Sequence, residues 1–114
     1  MLKPGNYDLV AFHDRSGASP YMEWLASLDR KTRERVLSRV GRLKWGQFGD
    51  FKALEGGLYE LRLFFGPGYR VYFGEHREHR GTMILLLTGG DKSTQRKDIK
   101  TAKEYWKTYL EENA

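Results

Sequence analysis

The chain contains no cysteine, which excludes disulfides, thiolate nucleophiles and cysteine-ligated zinc. Histidine is nearly as scarce. His13, His76 and His79 are spaced poorly for a metal cage, so metal-free chemistry without a cofactor is expected. No window approaches 18 uninterrupted apolar residues, so a membrane-spanning helix is not expected. The opening MLKPGNYDLV lacks the basic, apolar and small-residue regions of a signal peptide, which makes the cytoplasm the expected compartment. Repeats, linkers and low-complexity tracts are also missing. The 114 residues therefore read as one domain, 1–114, large enough to bury a single core.

What is present is basic charge, unevenly distributed. The formal net charge is +5, yet Arg30 to Lys52 holds eight Lys or Arg against Glu34 and Asp50, so this segment alone carries +6. A local field of that sign suits a phosphate backbone or an acidic partner, and it nominates Arg39, Arg42, Lys44 and Lys52 as phosphate-contacting residues. The same run also fits an ordinary solvated helix face.

Local patterns predict an α+β fold: an N-terminal strand, a helical hairpin, an antiparallel sheet of about four strands and a C-terminal helix. YDLVAF (7–12) reads as a short strand. Ser19 followed by Pro20 reads as an N-cap with proline at the first helical position, and Met22, Leu25 and Leu28 then recur at helical spacing. Asp29 caps a second helix with Val36, Val40 and Leu43 as its apolar stripe. WGQFGD ends that helix, and ALEGG reads as a turn. Strands follow at LYELRLFF, YRVYFGEH and TMILLLT, the last so apolar that it should be central and covered on both faces. Gly89-Gly90 reads as a turn carrying Asp91 and Lys92 to the sheet's end. Ser93 or Thr94 caps a final helix whose stripe is Ile99, Ala102, Trp106 and Tyr109 or Leu110. Trp24, Trp45 and Trp106 read as packing anchors, and His76 and His79 as solvent-exposed turn residues.

The hairpin LYELRLFFGPGYRVYF (58–73) is the most informative stretch. Alternation places Tyr59, Leu61, Leu63 and Phe65 on a core face and Leu58, Glu60, Arg62 and Phe64 on the other, open face. A three-residue loop pairing Phe65 with Tyr69 sets Arg70 opposite Phe64 and Tyr72 opposite Arg62. Arg62 and Arg70 are then diagonal neighbours, roughly 7–8 Å apart. Two guanidiniums on one face suit bidentate grip of a phosphate, and Phe64 and Tyr72 beside them suit base stacking. The alternative is a solvated sheet face in which Glu60 pairs weakly with a neighbour.

These residues carry a resemblance. The hairpin, the apolar strand after it and LLTGGDKSTQRKDIKTAKEYW resemble the RelE/ParE superfamily of toxins, in particular the HigB-like branch of addiction module killer proteins. The resemblance runs from FHDRSGASPYMEWLASLDRKTRERVLSRVGRL to the final helix. It implies a RelE-like fold and a bacterial type II toxin that cuts messenger RNA, usually at the ribosome, by metal-independent attack of a ribose 2′-hydroxyl on its neighbouring phosphate. It also implies a cognate antitoxin as partner, commonly a helix-turn-helix DNA-binding protein. Position by position, Arg70 in GYRV matches the arginine that holds the scissile phosphate, and Arg62 in ELR matches a basic position on the preceding strand. Lys92 in GGDKS matches a basic residue that stabilises the transition state or donates a proton. The chain departs from the family pattern at Glu60, where lysine is common, and in RKDI, where a tyrosine is common. Glu60 is thus either the general base or a neutraliser of Arg62. ParE-like members of the superfamily poison DNA gyrase instead, which is the alternative function the resemblance implies.

Overall fold

The computed structural model describes residues 2–114. Its strands are β1 (Asp8–Ala11), β2 (Phe51–Glu55), β3 (Leu58–Arg62), β4 (Arg70–Glu78) and β5 (Gly81–Gly90). The helices are α1 (Pro20–Ser27), α2 (Arg30–Gly41), continued by a 3-10 turn at Arg42–Trp45, and α3 (Gln95–Glu112), entered through a second 3-10 turn at Lys92–Thr94. The architecture is α+β, but the sheet has five strands rather than about four, in the order β1-β5-β4-β3-β2. It is mixed rather than antiparallel, because β1 runs parallel to β5.

The extra strand is β2, in the segment expected to be a turn. Its side chains are mostly exposed, so no apolar alternation marks it, and its order comes from pairing with β3. The helix starts follow the expected chemistry: the Ser19 side chain accepts from the Met22 amide with Pro20 at the first position, and Asp29 accepts from the Thr32 amide. Gly89-Gly90 ends β5 rather than forming a turn, and the turn begins at Asp91.

Both faces of the sheet are covered. On one, Tyr21 and Leu25 of α1 and Val36 and Val40 of α2 pack with Tyr59, Leu61, Leu63, Val71, Phe73, Ile84 and Leu86. On the other, Ala102 and Trp106 of α3 pack with Leu58, Tyr72, Met83, Leu85 and Leu87. β5 is accordingly an interior strand buried on both sides, although it lies second in the order and β4 takes the middle. The face bearing Glu60 and Tyr72, expected to be open, lies under α3. Glycines permit these close approaches: a Cβ on Gly74 would lie 2.3 Å from the Trp106 ring, one on Gly89 2.2 Å from Trp24, and one on Gly90 1.8 Å from the Asp98 carboxylate. Trp24 and Trp106 are therefore packing anchors, whereas Trp45 is 58% exposed and anchors nothing in the core. His79 is exposed, but His76 is half-buried and hydrogen-bonded to the Tyr109 hydroxyl of α3. No helix among the described residues is long and apolar enough to cross a membrane.

Candidate functional site

The site is built at the end of the β3–β4 hairpin. Arg62 and Arg70 are direct cross-strand partners, and Glu60 opposes Tyr72. The expected register is off by two residues. Leu63 donates its amide to the Tyr69 carbonyl, so the loop is Phe64 to Gly68 rather than three residues. A slip of two keeps every side chain on its expected face, and it brings the two arginines closer than the diagonal arrangement would. Gly66 and Gly68 make the turn possible with φ of +57° and +80°, values that L side chains avoid.

Two like charges directly opposite each other are unfavourable, and Glu60 resolves the conflict. Its side chain is fully buried. One carboxylate oxygen accepts from Arg62 Nε at 3.0 Å and lies 3.9 Å from Arg70 Nε. The other accepts from the Tyr72 hydroxyl at 3.1 Å and Gln95 Nε2 at 2.9 Å. Burial pushes the Glu60 carboxyl up, but the donors Gln95, Arg62 and Tyr72 outweigh it and hold the group below its ordinary value. Burial and the adjacent carboxylate push the Tyr72 phenol up. Both oxygens of this enclosed carboxylate are occupied by the arginines, Tyr72 and Gln95, which is the arrangement of a group that neutralises Arg62 and Arg70.

Arg70 is mostly buried, with Nη1 donating to the Gly68 carbonyl at 3.2 Å. Its guanidinium lines an open cleft of about 500 Å³ together with Phe64, Pro67 and Lys92. The cleft wall is pinned from the other side. Phe65 lies under the Arg35 guanidinium, 3.9 Å from the ring centroid, and against Tyr69, so its neighbour Phe64 is turned outward and is 80% exposed. The third cation, Lys92, reaches the cleft because Asp91 caps the 3-10 turn that follows β5. Arg70, Lys92 and Phe64 thus share one cleft, and Arg62 adjoins it across the strand pair.

Other expected contacts are not brought together. Tyr72 is fully buried and cannot stack on a base. Arg39 donates from Nη2 to the Phe48 carbonyl at 2.7 Å, which makes it a brace for the chain leading into β2. Arg42 and Lys44 are exposed, but they follow α2, which packs on the sheet face opposite the arginine pair. Lys52 is exposed and sits across from Glu60 on β2, on the arginine face. Among the described residues, no three His, Asp or Glu gather as they would around a metal ion.

Sequence reasoning missed Gln95. It occupies the same helical face as Ile99, Ala102 and Trp106, and a polar residue on an otherwise apolar stripe is the signal that it meets a buried polar partner. A smaller, more apolar pocket between the β2–β3 turn and α3, about 390 Å³ over Leu58, Trp106 and Leu110, is rimmed by lysines and glutamates together and lacks the cationic character of the hairpin cleft.

An uncharacterized protein of Haemophilus influenzae is 46% identical over 81 residues, 70% of this chain and 79% of that protein. The chain belongs to the family of that protein. No protein-family model matches the chain, and no solved structure matches it.

Proposed function

We propose that the chain is a toxin of the RelE/ParE kind, with a RelE-like fold, that cleaves messenger RNA without a metal ion, in the cytoplasm and at the ribosome. The observation that carries this reading is the paired guanidiniums of Arg62 and Arg70, set by a buried carboxylate, with Arg70 opening onto a cleft shared with Lys92 and the exposed ring of Phe64. Cleavage of an RNA linkage by its own 2′-hydroxyl gathers charge on the phosphate oxygens, and preorganised cations aimed at that charge are the main source of acceleration. In the proposed step the 2′-oxygen attacks phosphorus and its proton passes to solvent. The bond to the 5′-oxygen breaks, and the Lys92 ammonium protonates that leaving group. The products are a 2′,3′-cyclic phosphate and a 5′-hydroxyl. Phe64 offers a stacking surface for a flanking base, and Arg70 holds the scissile phosphate.

A cationic cleft of this kind also attracts an acidic segment of a protein, which supports an antitoxin as partner. Growth arrest on expression is the first test. Wild type is expected to arrest growth, and Arg70→Ala, expressed equally and folded by circular dichroism, is expected not to. Arrest by Arg70→Ala rejects the assignment. Inhibition of gyrase supercoiling without RNA cleavage would transfer the chain to the gyrase-poisoning reading.

A further inference from the structure

α3 is tied to the β2–β3 edge at two levels. Gln95 in its first turn donates to Glu60 at 2.9 Å, and Lys103, two turns later, pairs with Glu55 of β2 at 3.4 Å. The helix packs over β5 and β4 and runs from the arginine pair toward the β2–β3 turn, with its Lys103 flank turned to β2. Between the two ties, Arg96 and Lys100 stand one turn apart on one helical face, both exposed. Lys52, across from Glu60 on the edge strand, is exposed on the same side of the sheet. Arg62 completes the set with its side chain 31% exposed. Glu60 beside these four cations is buried, and Glu55 at the far end pairs with Lys103, while Asp50 stands two residues before Lys52 and Glu104 one turn after Lys100. Asp98 is turned to Gly90 on the other side of the helix. Neither Arg96, Lys100 nor Lys52 has an ion-pair partner among the described residues.

We propose that Arg62, Lys52, Arg96 and Lys100 form a backbone-binding track for single-stranded RNA that leads from the hairpin cleft along the groove between β2 and α3. This rests on the RNA reading above and assigns the path of the strand beyond the scissile linkage. That path lies on the α3 side of the sheet and not on the basic α2 side. The span between the two ties, eight residues of helix, is about 12 Å, room for a short run of backbone phosphates.

The test is binding of a fluorescein-labelled single-stranded RNA 12-mer to the full chain across a salt series. Each phosphate contact on a single strand contributes about 0.7 to the slope of log K against log salt. The double variant Arg96→Gln/Lys100→Gln should lower that slope by about 1.4, which weakens binding roughly 25-fold at 0.1 M salt if the lines meet at 1 M. A control losing the same charge at the opposite end of the sheet, Arg77→Gln/Arg80→Gln, should change the slope by well under half as much. Equal effects of the two double variants, an unchanged slope in the first, or no salt-sensitive binding by wild type each overturn the track. Binding that depends on Arg96 and Lys100 with no RNA cleaved keeps the track and rejects only the nuclease.

Discussion

Replacing Glu60 by Gln is the most demanding test of how the site is assembled. The substitution keeps the shape and removes the charge, so two guanidiniums face each other across β3 and β4 without their anion. Tyr72 and Gln95 lose a charged acceptor as well. Breaking a buried ion pair by removing one partner costs about 3–5 kcal/mol. Arg62 is partly open to water, which places the expected loss near the bottom of that range, about 3 kcal/mol. For a domain of this length that is roughly 10 °C in Tm. The pH dependence gives the sign. Glu60 has a lowered pKa in the folded chain, so its contribution is present above the ordinary glutamate range and fades as pH falls through the lower, folded value. Thermal and urea unfolding of wild type and Glu60→Gln at pH 7 and at pH 3 should show a wide gap at pH 7 that narrows in acid. Equal stability at pH 7, or a gap that stays constant down to pH 2, would refute the claim that an ionised Glu60 holds the two arginines.

Two further substitutions probe the packing that positions the site. Tyr72→Phe removes one hydrogen bond to a buried carboxylate and should cost about 1.5–3 kcal/mol in urea unfolding, and a change within error would show that Tyr72 does not support Glu60. Gly74→Ala drives a Cβ to 2.3 Å from the Trp106 ring and should cost about 1–3 kcal/mol. Trp106→Phe added to it should recover part of that loss, and no recovery would place the strain elsewhere.

Much of the frame was legible in the sequence because its signals are local. The caps at Ser19 and Asp29, the stripe of Val36, Val40 and Leu43, and the unbroken apolar run of β5 depend on neighbours within a turn or a strand, and each is found where those neighbours put it. Non-local features were not legible. β2 is mostly exposed, without a strict apolar alternation, and exists through its pairing with β3, and the parallel docking of β1 on β5 joins segments more than 70 residues apart. The candidate site divided along the same line. Arg62 and Arg70 share a face as alternation requires, and Lys92 reaches the sheet's end. Alternation with Glu60 and Arg62 predicts an open, solvated face for Glu60 and Tyr72, although Leu58 and Tyr72 of that face match the stripe of α3. Once α3 covers them, the polar pair becomes internal wiring. Arg42 and Lys44, nominated by charge density alone, follow the helix on the layer opposite the arginine pair, because net charge along a chain does not record which face of a sheet a helix will cover.

The central claim, that Arg70 and its neighbours grip an RNA linkage while it is cleaved, is tested most directly by primer extension on a messenger RNA being translated in a purified reaction. Wild-type protein should produce discrete new ends within the reading frame, with 2′,3′-cyclic phosphate and 5′-hydroxyl termini, and folded Arg70→Ala should produce none above background. Intact message with wild-type protein, or the same ends with Arg70→Ala, would contradict it.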